Sequence, residues 1–302
     1  MKVLVAGSTG QLAQALAEAA SAARIDLRAY GRPNLDLESR AGAEQIAALA
    51  PEVIINAAAY TAVDAAESEA ARAFAVNRDG AAWLAGIAAA RGIPFIHVST
   101  DYVFDGAKSS AYVEHDATGP LGVYGRSKRE GEQAVLHVCP HALIVRTAWV
   151  YSAYGSNFVK TMLRLARERE ALRVVDDQTG NPTSAHDIAA ALLAIARTML
   201  SGTASDACGI FHLAARGETT WCGFARAIMR LADEAGHRSV PVVPITTAEY
   251  PTPARRPANS RLDCGKLQAT FGIALPDWRE SLPGVVRRLV ADASGKATGA
   301  GS

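Results

Sequence analysis

The sequence has 302 residues, of which 49% are hydrophobic and 20% are charged, as is typical of a globular protein long enough to form two domains. Its 31 basic and 30 acidic residues give a formal net charge of +1, so the charge balance gives no reason to expect nucleic acid or a membrane as a partner. The apolar N-terminal run is too short for a signal peptide, and no apolar run reaches the ~20 residues that cross a bilayer, which predicts a cytoplasmic location.

Short apolar strands alternate with alanine-rich helices in the first half of the chain. Runs that are apolar without alternation are typical of strands covered on both faces. Strict alternation of strand and helix predicts right-handed βαβ units, and hence an α/β fold with a Rossmann-type doubly wound parallel sheet. The predicted strands are 3–5, 27–30, 53–56, 95–98 and 142–146, and the predicted helices are 11–24, 42–49, 65–90 and one after Tyr124.

The second half keeps helical patterns but adds irregular stretches that are rich in proline. Helices are predicted at 157–169, 187–200 and 220–235, and residues 209–213 are typical of one more strand of the sheet. The chain should therefore leave the sheet after Tyr151, return for one helix–strand unit and leave again. We predict a sheet domain of residues 1–151 plus 184–215, a smaller interleaved C-terminal domain of 152–183 plus 216–291, and a flexible tail at 292–302.

A glycine-rich turn, Gly7-Ser8-Thr9-Gly10-Gln11-Leu12-Ala13, joins the first strand to the first helix. Gly7 permits the tight turn, Gly10 lets a pyrophosphate approach the backbone, and Ala13 allows the helix to pack closely on the strand. Amide groups at the start of this helix, where its dipole is positive, would then bind phosphates. The sheet domain is therefore expected to bind a dinucleotide, which leaves the smaller domain for the substrate.

The end of the second strand is where such a fold contacts the adenosine ribose. A carboxylate there would bind the 2′-hydroxyl of NAD, but the sequence has Tyr30-Gly31-Arg32. An arginine can pair with the 2′-phosphate of NADP, so NADPH is the expected cofactor and NADH is the alternative. A solvated surface arginine would explain the same residue.

Tyr124 and Lys128 lie at positions i and i+4, on one face of a helix. A free tyrosine is a poor acid at neutral pH, and a lysine cation one turn away lowers the pKa of the phenol, so the pair suits proton donation to a carbonyl that is being reduced. Thr100 ends the fourth strand, at the edge where open α/β sheets bind ligands. We predict that these three residues are catalytic. The alternative is that Thr100 only caps the strand and Tyr124 packs.

The glycine turn, Thr100 and the Tyr124/Lys128 pair resemble the signature of the extended short-chain dehydrogenases/reductases. Longer strings at 56–64, 99–106, 146–151, 177–183 and 253–262 are similar to the dTDP-4-dehydrorhamnose reductase family, and the resemblance covers roughly residues 1–290. It implies an oxidoreductase that reduces the 4-keto group of dTDP-4-dehydro-L-rhamnose to dTDP-L-rhamnose, a precursor for polysaccharides.

The resemblance also implies substrate contacts. Tyr124 would donate the proton to the oxygen at carbon 4, Thr100 and Asp101 would touch the hexose, and Trp149 would pack against it. Arg256, near a proline-bounded loop, could clamp a diphosphate. The residues alone leave an alternative open in three cases: Asp101 could cap a turn, Trp149 could pack in the core, and Arg256 could be an ordinary surface residue.

The resemblance further implies that Lys128 holds the nicotinamide ribose, while the hydride comes from the cofactor. Together with the glycine turn and the end of the second strand, the predicted cofactor-binding residues are Gly7, Gly10, Gln11, Leu12, Arg32, Asp36, Leu37, Ala59, Tyr60, Thr61, Tyr124 and Lys128.

A metal site is not predicted. Family members with a magnesium ion use carboxylates, one of them on the first helix, where this sequence has Ala15. The turn at 184–187 contains no obvious pair of glutamates, and the four cysteines form no C-x-x-C pair. The expected partner is a small nucleotide-sugar, and the protein is expected to be a monomer or a homodimer.

Two other functions stay open. The chain could be another nucleotide-sugar reductase or epimerase; a dehydratase is disfavoured, because Asp101-Tyr102 stands where an Asp-Glu pair would be expected. It could also be a non-catalytic, reductase-like regulatory subunit, since fold alone does not decide activity. The intact set of Thr100, Tyr124 and Lys128 favours an enzyme.

Overall fold

The computed structural model describes residues 1–41, 46–202 and 207–298. Their strands are β1 (Lys2–Ala6), β2 (Asp26–Tyr30), β3 (Val53–Asn56), β4 (Phe95–Thr100), β5 (Leu143–Thr147), β6 (Val150–Tyr151), β7 (Leu172–Val175), β8 (Thr179–Gly180), β9 (Thr183–Ser184), β10 (Gly209–His212), β11 (Thr219–Thr220) and β12 (Val242–Ile245). Their helices are α1 (Gln11–Ala22), α2 (Val63–Ala66), α3 (Ala70–Phe74), α4 (Ala81–Arg91), α5 (Val123–Val138), α6 (Phe158–Glu168), α7 (Ala185–Leu200), α8 (Trp221–Glu234), α9 (Gly265–Phe271) and α10 (Trp278–Thr298).

The predicted α/β fold with a doubly wound parallel sheet is confirmed. Within the described ranges, six strands form the main sheet in the order β2–β1–β3–β4–β5–β10, and every neighbouring pair is parallel. The order changes direction between β1 and β3, which opens a crevice at the carboxyl ends of these strands, the usual ligand position in such sheets.

The central strands are buried on both faces because helices cover both sides of the sheet. The residues of β3 and β5 are all buried, as their continuous apolar runs predict. Helices α1 and α7 pack on one face through residues such as Leu16 and Leu192. Helices α4 and α5 pack on the other face through residues such as Leu84 and Val135. This packing holds the strand ends in fixed register.

A separate hydrophobic cluster lies in the part of the chain that leaves the sheet. It is built from α6, α8 and α10 together with β7 and β12, around side chains such as Met162, Phe224 and Trp278. We assign this cluster to the smaller domain, whose bounds of 152–183 and 216–291 stay a prediction.

Three segments differ from the expectations. The predicted helix at 65–90 is broken into α2, α3 and α4, with a π-helical turn at Ala75–Gly80 between the last two. Of the helix predicted at 42–49, residues 42–45 lie outside the described ranges and Ile46–Leu49 form a 3₁₀ turn. Helix α10 continues to Thr298. The flexible tail predicted at 292–302 stays a prediction, and its residues 299–302 lie outside the described part. None of the described helices combines the length and the apolar character that a membrane span requires.

Candidate functional site

A cleft of about 740 Å³ lies at the carboxyl edge of the main sheet. The parallel register explains why distant residues meet there: Ala6 is level with Tyr30 and Asn56, and Thr100 is level with Thr147. The cleft is lined by nearly all the residues predicted for the site, namely Gly7, Gly10, Gln11, Leu12, Arg32, Asp36, Leu37, Ala59, Tyr60, Thr61, Thr100, Asp101, Tyr124, Lys128 and Trp149.

The glycine turn has the geometry that an anionic ligand requires. Gly7 has φ of 107°, and a Cβ there would lie 3.2 Å from the amide nitrogen of Ala58, so that a larger residue would be strained. A Cβ at Gly10 would meet no atom within 4 Å, and Gly10 caps α1 without a side-chain hydrogen bond. Because the first amides of a helix have no partner within the helix, this end of α1 can hold phosphate groups.

One end of the cleft, which we call the arginine end, is formed by Arg32, Glu38 and Arg72. A terminal nitrogen of Arg32 lies 3.2 Å from Glu38 Oε1, and Arg72 Nε lies 2.8 Å from the same oxygen. The arginine side chains are exposed by 61% and 42%. Sequence reasoning missed Arg72, because it lies on α3, far along the chain from the second strand. Two guanidinium groups at this position suit a ligand phosphate.

The other end, which we call the tyrosine end, is formed by Thr100, Asp101, Tyr124 and Lys128. The Thr100 hydroxyl donates to Asp101 Oδ1 (3.0 Å) and accepts from the amide of Tyr102 (3.2 Å), so Thr100 does cap the turn that follows β4. This cap fixes the hydroxyl in the cleft beside the Tyr124 phenol. The capping role and a role in the site are therefore compatible.

The expected lowering of the Tyr124 pKa by Lys128 is not found. Burial raises the pKa of Tyr124 to about 12, the hydrogen bond with Thr100 offsets part of this rise, and the charge of Asp101 adds to it. Lys128 turns its Nζ towards β4 instead, where it donates to the carbonyl oxygen of Val98 (2.7 Å). Burial lowers the pKa of Lys128 to about 8, although the Glu132 carboxylate opposes this effect.

Asp101 lines the cleft and has a buried, unsatisfied side-chain oxygen. Its side chain is 2% exposed, and Oδ2 has no hydrogen-bond partner. Burial raises the pKa of this carboxyl to about 6, although hydrogen bonds from Ser260 and Thr100 lower it. Since buried polar atoms are nearly always hydrogen-bonded, Oδ2 is a natural acceptor for a ligand hydroxyl.

Trp149 forms one wall of the cleft together with Trp221. The two indoles are parallel within 7° and their ring centroids are 3.5 Å apart. Trp149 has φ of 47°, which is a strained conformation for a bulky residue, and a Cβ at Gly180 would lie 2.4 Å from its ring. Sequence reasoning missed Trp221, which starts α8 and carries no motif. Flat, rigid aromatic surfaces of this kind suit a sugar or a base.

Arg256 is the predicted site residue that the structure places differently. Arg256 is absent from the described residues that line the cleft. Its guanidinium forms two hydrogen bonds to the Asp64 carboxylate, of 2.7 and 3.1 Å. Arg32 and Arg72 also have carboxylate partners, so this pairing does not exclude a phosphate, and the diphosphate contact of Arg256 stays a prediction.

No metal centre is evident in the described ranges, where no group of three or more His, Cys, Asp or Glu residues could hold an ion. The position of Ala15 is buried in α1. On the same helix, Glu18 pairs with Arg288 and with His186 at 3.0 and 2.9 Å.

Comparisons with known proteins agree along almost the whole chain. Residues 1–291 match the family model described as the RmlD substrate binding domain. The chain is 55% identical over 291 residues to the dTDP-4-dehydrorhamnose reductase of Sinorhizobium fredii, which covers 96% of this chain and 97% of that one. It is 41% identical over 298 residues to the dTDP-4-dehydrorhamnose reductase of Escherichia coli (strain K12), with coverage of 96% and 98%.

A solved structure extends this similarity to three dimensions. The crystal structure of the dTDP-4-dehydrorhamnose reductase of Bacillus anthracis in complex with NADP superposes on this chain with a TM-score of 0.87. Sequence identity is 34%, and the superposition covers 94% of this chain and 99% of that one. Fold and sequence thus identify the same relatives.

Proposed function

Because this chain belongs to the family of the RmlD substrate binding domain, together with the dTDP-4-dehydrorhamnose reductases, we propose that it reduces the 4-keto group of dTDP-4-dehydro-L-rhamnose to give dTDP-L-rhamnose. NADPH is the proposed reductant. The observation that carries the proposal is the placement of Thr100, Tyr124 and Lys128 in the same cleft as the glycine turn.

The residues present fit a dinucleotide. The turn at Gly7 and Gly10 would hold the pyrophosphate, because the start of α1 faces the cleft without a side-chain cap. Arg32 and Arg72 would pair with a 2′-phosphate, which favours NADPH over NADH. The B. anthracis relative, solved with NADP, supports this choice. Bound NADPH would supply the hydride.

Tyr124 is the proposed proton donor. A pKa of about 12 keeps the phenol protonated through neutral pH. The alkoxide that forms at carbon 4 is a stronger base than a phenolate, so the proton moves from Tyr124 Oη to the sugar oxygen. The Thr100 hydroxyl, fixed by the Tyr102 amide, would turn its single proton from Asp101 Oδ1 to the substrate oxygen and so orient that oxygen towards Tyr124.

Asp101 and Trp149 are the proposed sugar contacts. The free Oδ2 of Asp101 would accept a hydrogen bond from a hexose hydroxyl. The paired indoles of Trp149 and Trp221 would form the surface against which the sugar packs.

We also propose that the enzyme acts in the cytoplasm as a monomer or a homodimer. The free thiols of Cys139, Cys208, Cys222 and Cys264 are consistent with a reducing compartment. Light scattering of the purified protein would decide between the two assembly states.

The direct test supplies dTDP-4-dehydro-L-rhamnose with NADPH or NADH and follows the loss of the nicotinamide absorbance of the reduced cofactor. We expect turnover with the keto sugar and a preference for NADPH. Binding of NADPH without any oxidation in the presence of the keto sugar would instead favour the regulatory-subunit alternative.

A further inference from the structure

A row of three polar side chains runs from β3 to the lysine at the tyrosine end. Asn56, His97 and Lys128 are 0%, 1% and 1% exposed. Asn56 Nδ2 lies 3.0 Å from His97 Nδ1, and His97 Nε2 lies 3.3 Å from Lys128 Nζ. Neither Asn56 nor His97 lines the cleft, so the row lies beneath the site rather than in it.

The direction of this row is fixed at one end by the backbone. The amide N–H of Ala58 donates to Asn56 Oδ1 (3.1 Å), and a backbone amide can only donate. Asn56 must therefore present its Nδ2, which also can only donate, to the imidazole. His97 Nδ1 then accepts, and a neutral imidazole with Nδ1 as acceptor carries its proton on Nε2.

We propose that His97 is a positioning residue for Lys128: held by Asn56 in the tautomer with the proton on Nε2, it donates a hydrogen bond to Nζ and thereby favours the uncharged amine form of the lysine. An ammonium group has only donors, whereas an amine has the lone pair that this bond requires.

The opposite arrangement leaves two donors facing each other. If Lys128 is an ammonium that donates to Nε2, the imidazole proton moves to Nδ1 and faces the Asn56 amide. Rotating that amide to present its oxygen would turn Nδ2 against the Ala58 N–H. Because the row is buried, an unmatched donor of this kind is costly.

The charges around Lys128 come from three elements. Glu132, one turn further along α5, favours the cation, but it is held by two hydrogen bonds from Arg146 on β5, of 2.8 and 2.7 Å. From β4, His97 is neutral because burial lowers its pKa, and a charged Lys128 would lower it further. The lowered pKa of Lys128, about 8, agrees with the proposed direction of the row.

Substitution of Asn56 by aspartate tests the direction of the row. The new carboxylate can only accept, so His97 should move its proton to Nδ1 and present Nε2 to the lysine as an acceptor. The variant Asn56→Asp should therefore favour the lysine cation. Asn181→Asp is the matched control, because Asn181 is another buried amide, which donates to the carbonyl of Gly217 (2.7 Å).

The first measurement does not depend on activity. Two-bond ¹H–¹⁵N spectra of imidazole-labelled protein distinguish the two tautomers, and His97→Gln assigns the signal. Above pH 8, where Lys128 is mainly uncharged, we expect His97 to carry its proton on Nε2 in the wild type and in Asn181→Asp, and on Nδ1 in Asn56→Asp. A wild-type proton on Nδ1 overturns the proposal, and this result decides even if a variant does not fold.

The second measurement rests on the proposed function. A charged Lys128 would stabilise the negative charge that develops on Tyr124 Oη as its proton leaves, so kcat/KM for the keto sugar should fall as pH rises through the pKa of Lys128. Asn56→Asp should move this fall upward by about one pH unit or more, as a nearby opposite charge does, and Asn181→Asp should not move it. If Asn56→Asp does not move it, the proposal is wrong. If the tautomers behave as expected but no form oxidises NADPH, the proposed function fails and this inference stands.

Discussion

The charged side chains are buried at the tyrosine end of the cleft and exposed at the arginine end. At the tyrosine end Asp101 and Lys128 are 2% and 1% exposed, and the layer beneath them contains the buried Glu132–Arg146 ion pair. At the arginine end the side chains of Arg32 and Arg72 are exposed and both contact Glu38, and Arg72 also contacts Glu69.

This difference predicts how each end responds to change. Buried charges depend on particular partners, because water cannot replace a lost hydrogen bond. Exposed charges are screened and exchange partners at little cost. Substitutions at the tyrosine end should therefore change stability or turnover strongly, and those at the arginine end should only adjust cofactor affinity.

The largest effect is expected for Glu132→Gln. Arg146 would remain buried and charged opposite an amide, and loss of one partner of such a pair costs about 3–5 kcal/mol in the free energy of unfolding. Urea denaturation measures this loss. The control is Glu168→Gln on α6, whose carboxylate pairs with Arg164 at the surface (3.0 Å) and should cost less than about 0.5 kcal/mol. Similar losses in the two variants would remove the contrast between buried and exposed charge.

Tyr124→Phe should lower turnover by about 10² or more, the usual scale for loss of a general acid. Affinity for NADPH should be kept, because the ring still fills its place in the cleft. Steady-state kinetics and a direct cofactor titration measure the two quantities. Tyr112→Phe is the control, since this buried phenol donates to Asp105 (2.8 Å) away from the cleft. Unchanged turnover in Tyr124→Phe would mean that the proton comes from elsewhere.

Asp101→Asn should stabilise the fold and impair catalysis. The pKa of Asp101 is raised to about 6 in the fold, from 3.8, so its contribution to stability is fully present below pH 3.8 and is lost as pH rises through 6. The asparagine variant should therefore match the wild type near pH 4 and exceed it by roughly 3 kcal/mol above pH 6.

Thermal unfolding between pH 4 and 8 measures this effect. Asp105→Asn is a control of opposite sign, because hydrogen bonds from Ala107 and Tyr112 lower the pKa of Asp105. If the stability difference between Asp101→Asn and the wild type did not change with pH, burial would not raise the pKa of the Asp101 carboxyl.

The smallest effect is expected at the arginine end. Arg32→Ala and Arg72→Ala should each raise the KM for NADPH by about three- to tenfold, and should leave the KM for NADH unchanged because NADH has no 2′-phosphate. The effect is small because water partly replaces an exposed arginine as a partner of the 2′-phosphate. Added salt should shrink the difference. Arg28→Ala, an exposed arginine on β2 outside the cleft, is the matched control. Equal effects on NADPH and NADH would remove the 2′-phosphate from the explanation.

Local patterns were sufficient for much of the site because each depends on neighbouring residues. The turn from Gly7 to Ala13 and the i, i+4 spacing of Tyr124 and Lys128 are set by one strand end and one helix. Arg72, Trp221 and His97 were missed, since each acquires its meaning from a residue far away in sequence. The sequence shows the charge of Arg256, but it does not show that this charge pairs with the Asp64 carboxylate.

By itself the sequence determined the parallel sheet, the edge at which ligands would bind, and the residue types available for the chemistry, because periodicity and turn geometry act over a few residues. The tertiary structure alone decided the electrostatic state of those residues. Packing partly buries Tyr124 and raises its pKa where a neighbouring lysine was expected to lower it, and it brings His97 Nε2 within 3.3 Å of Lys128 Nζ. Burial and long-range contacts form only when the chain has folded. Their effect on the pKa of Tyr124 outweighs that of a charge one helical turn away.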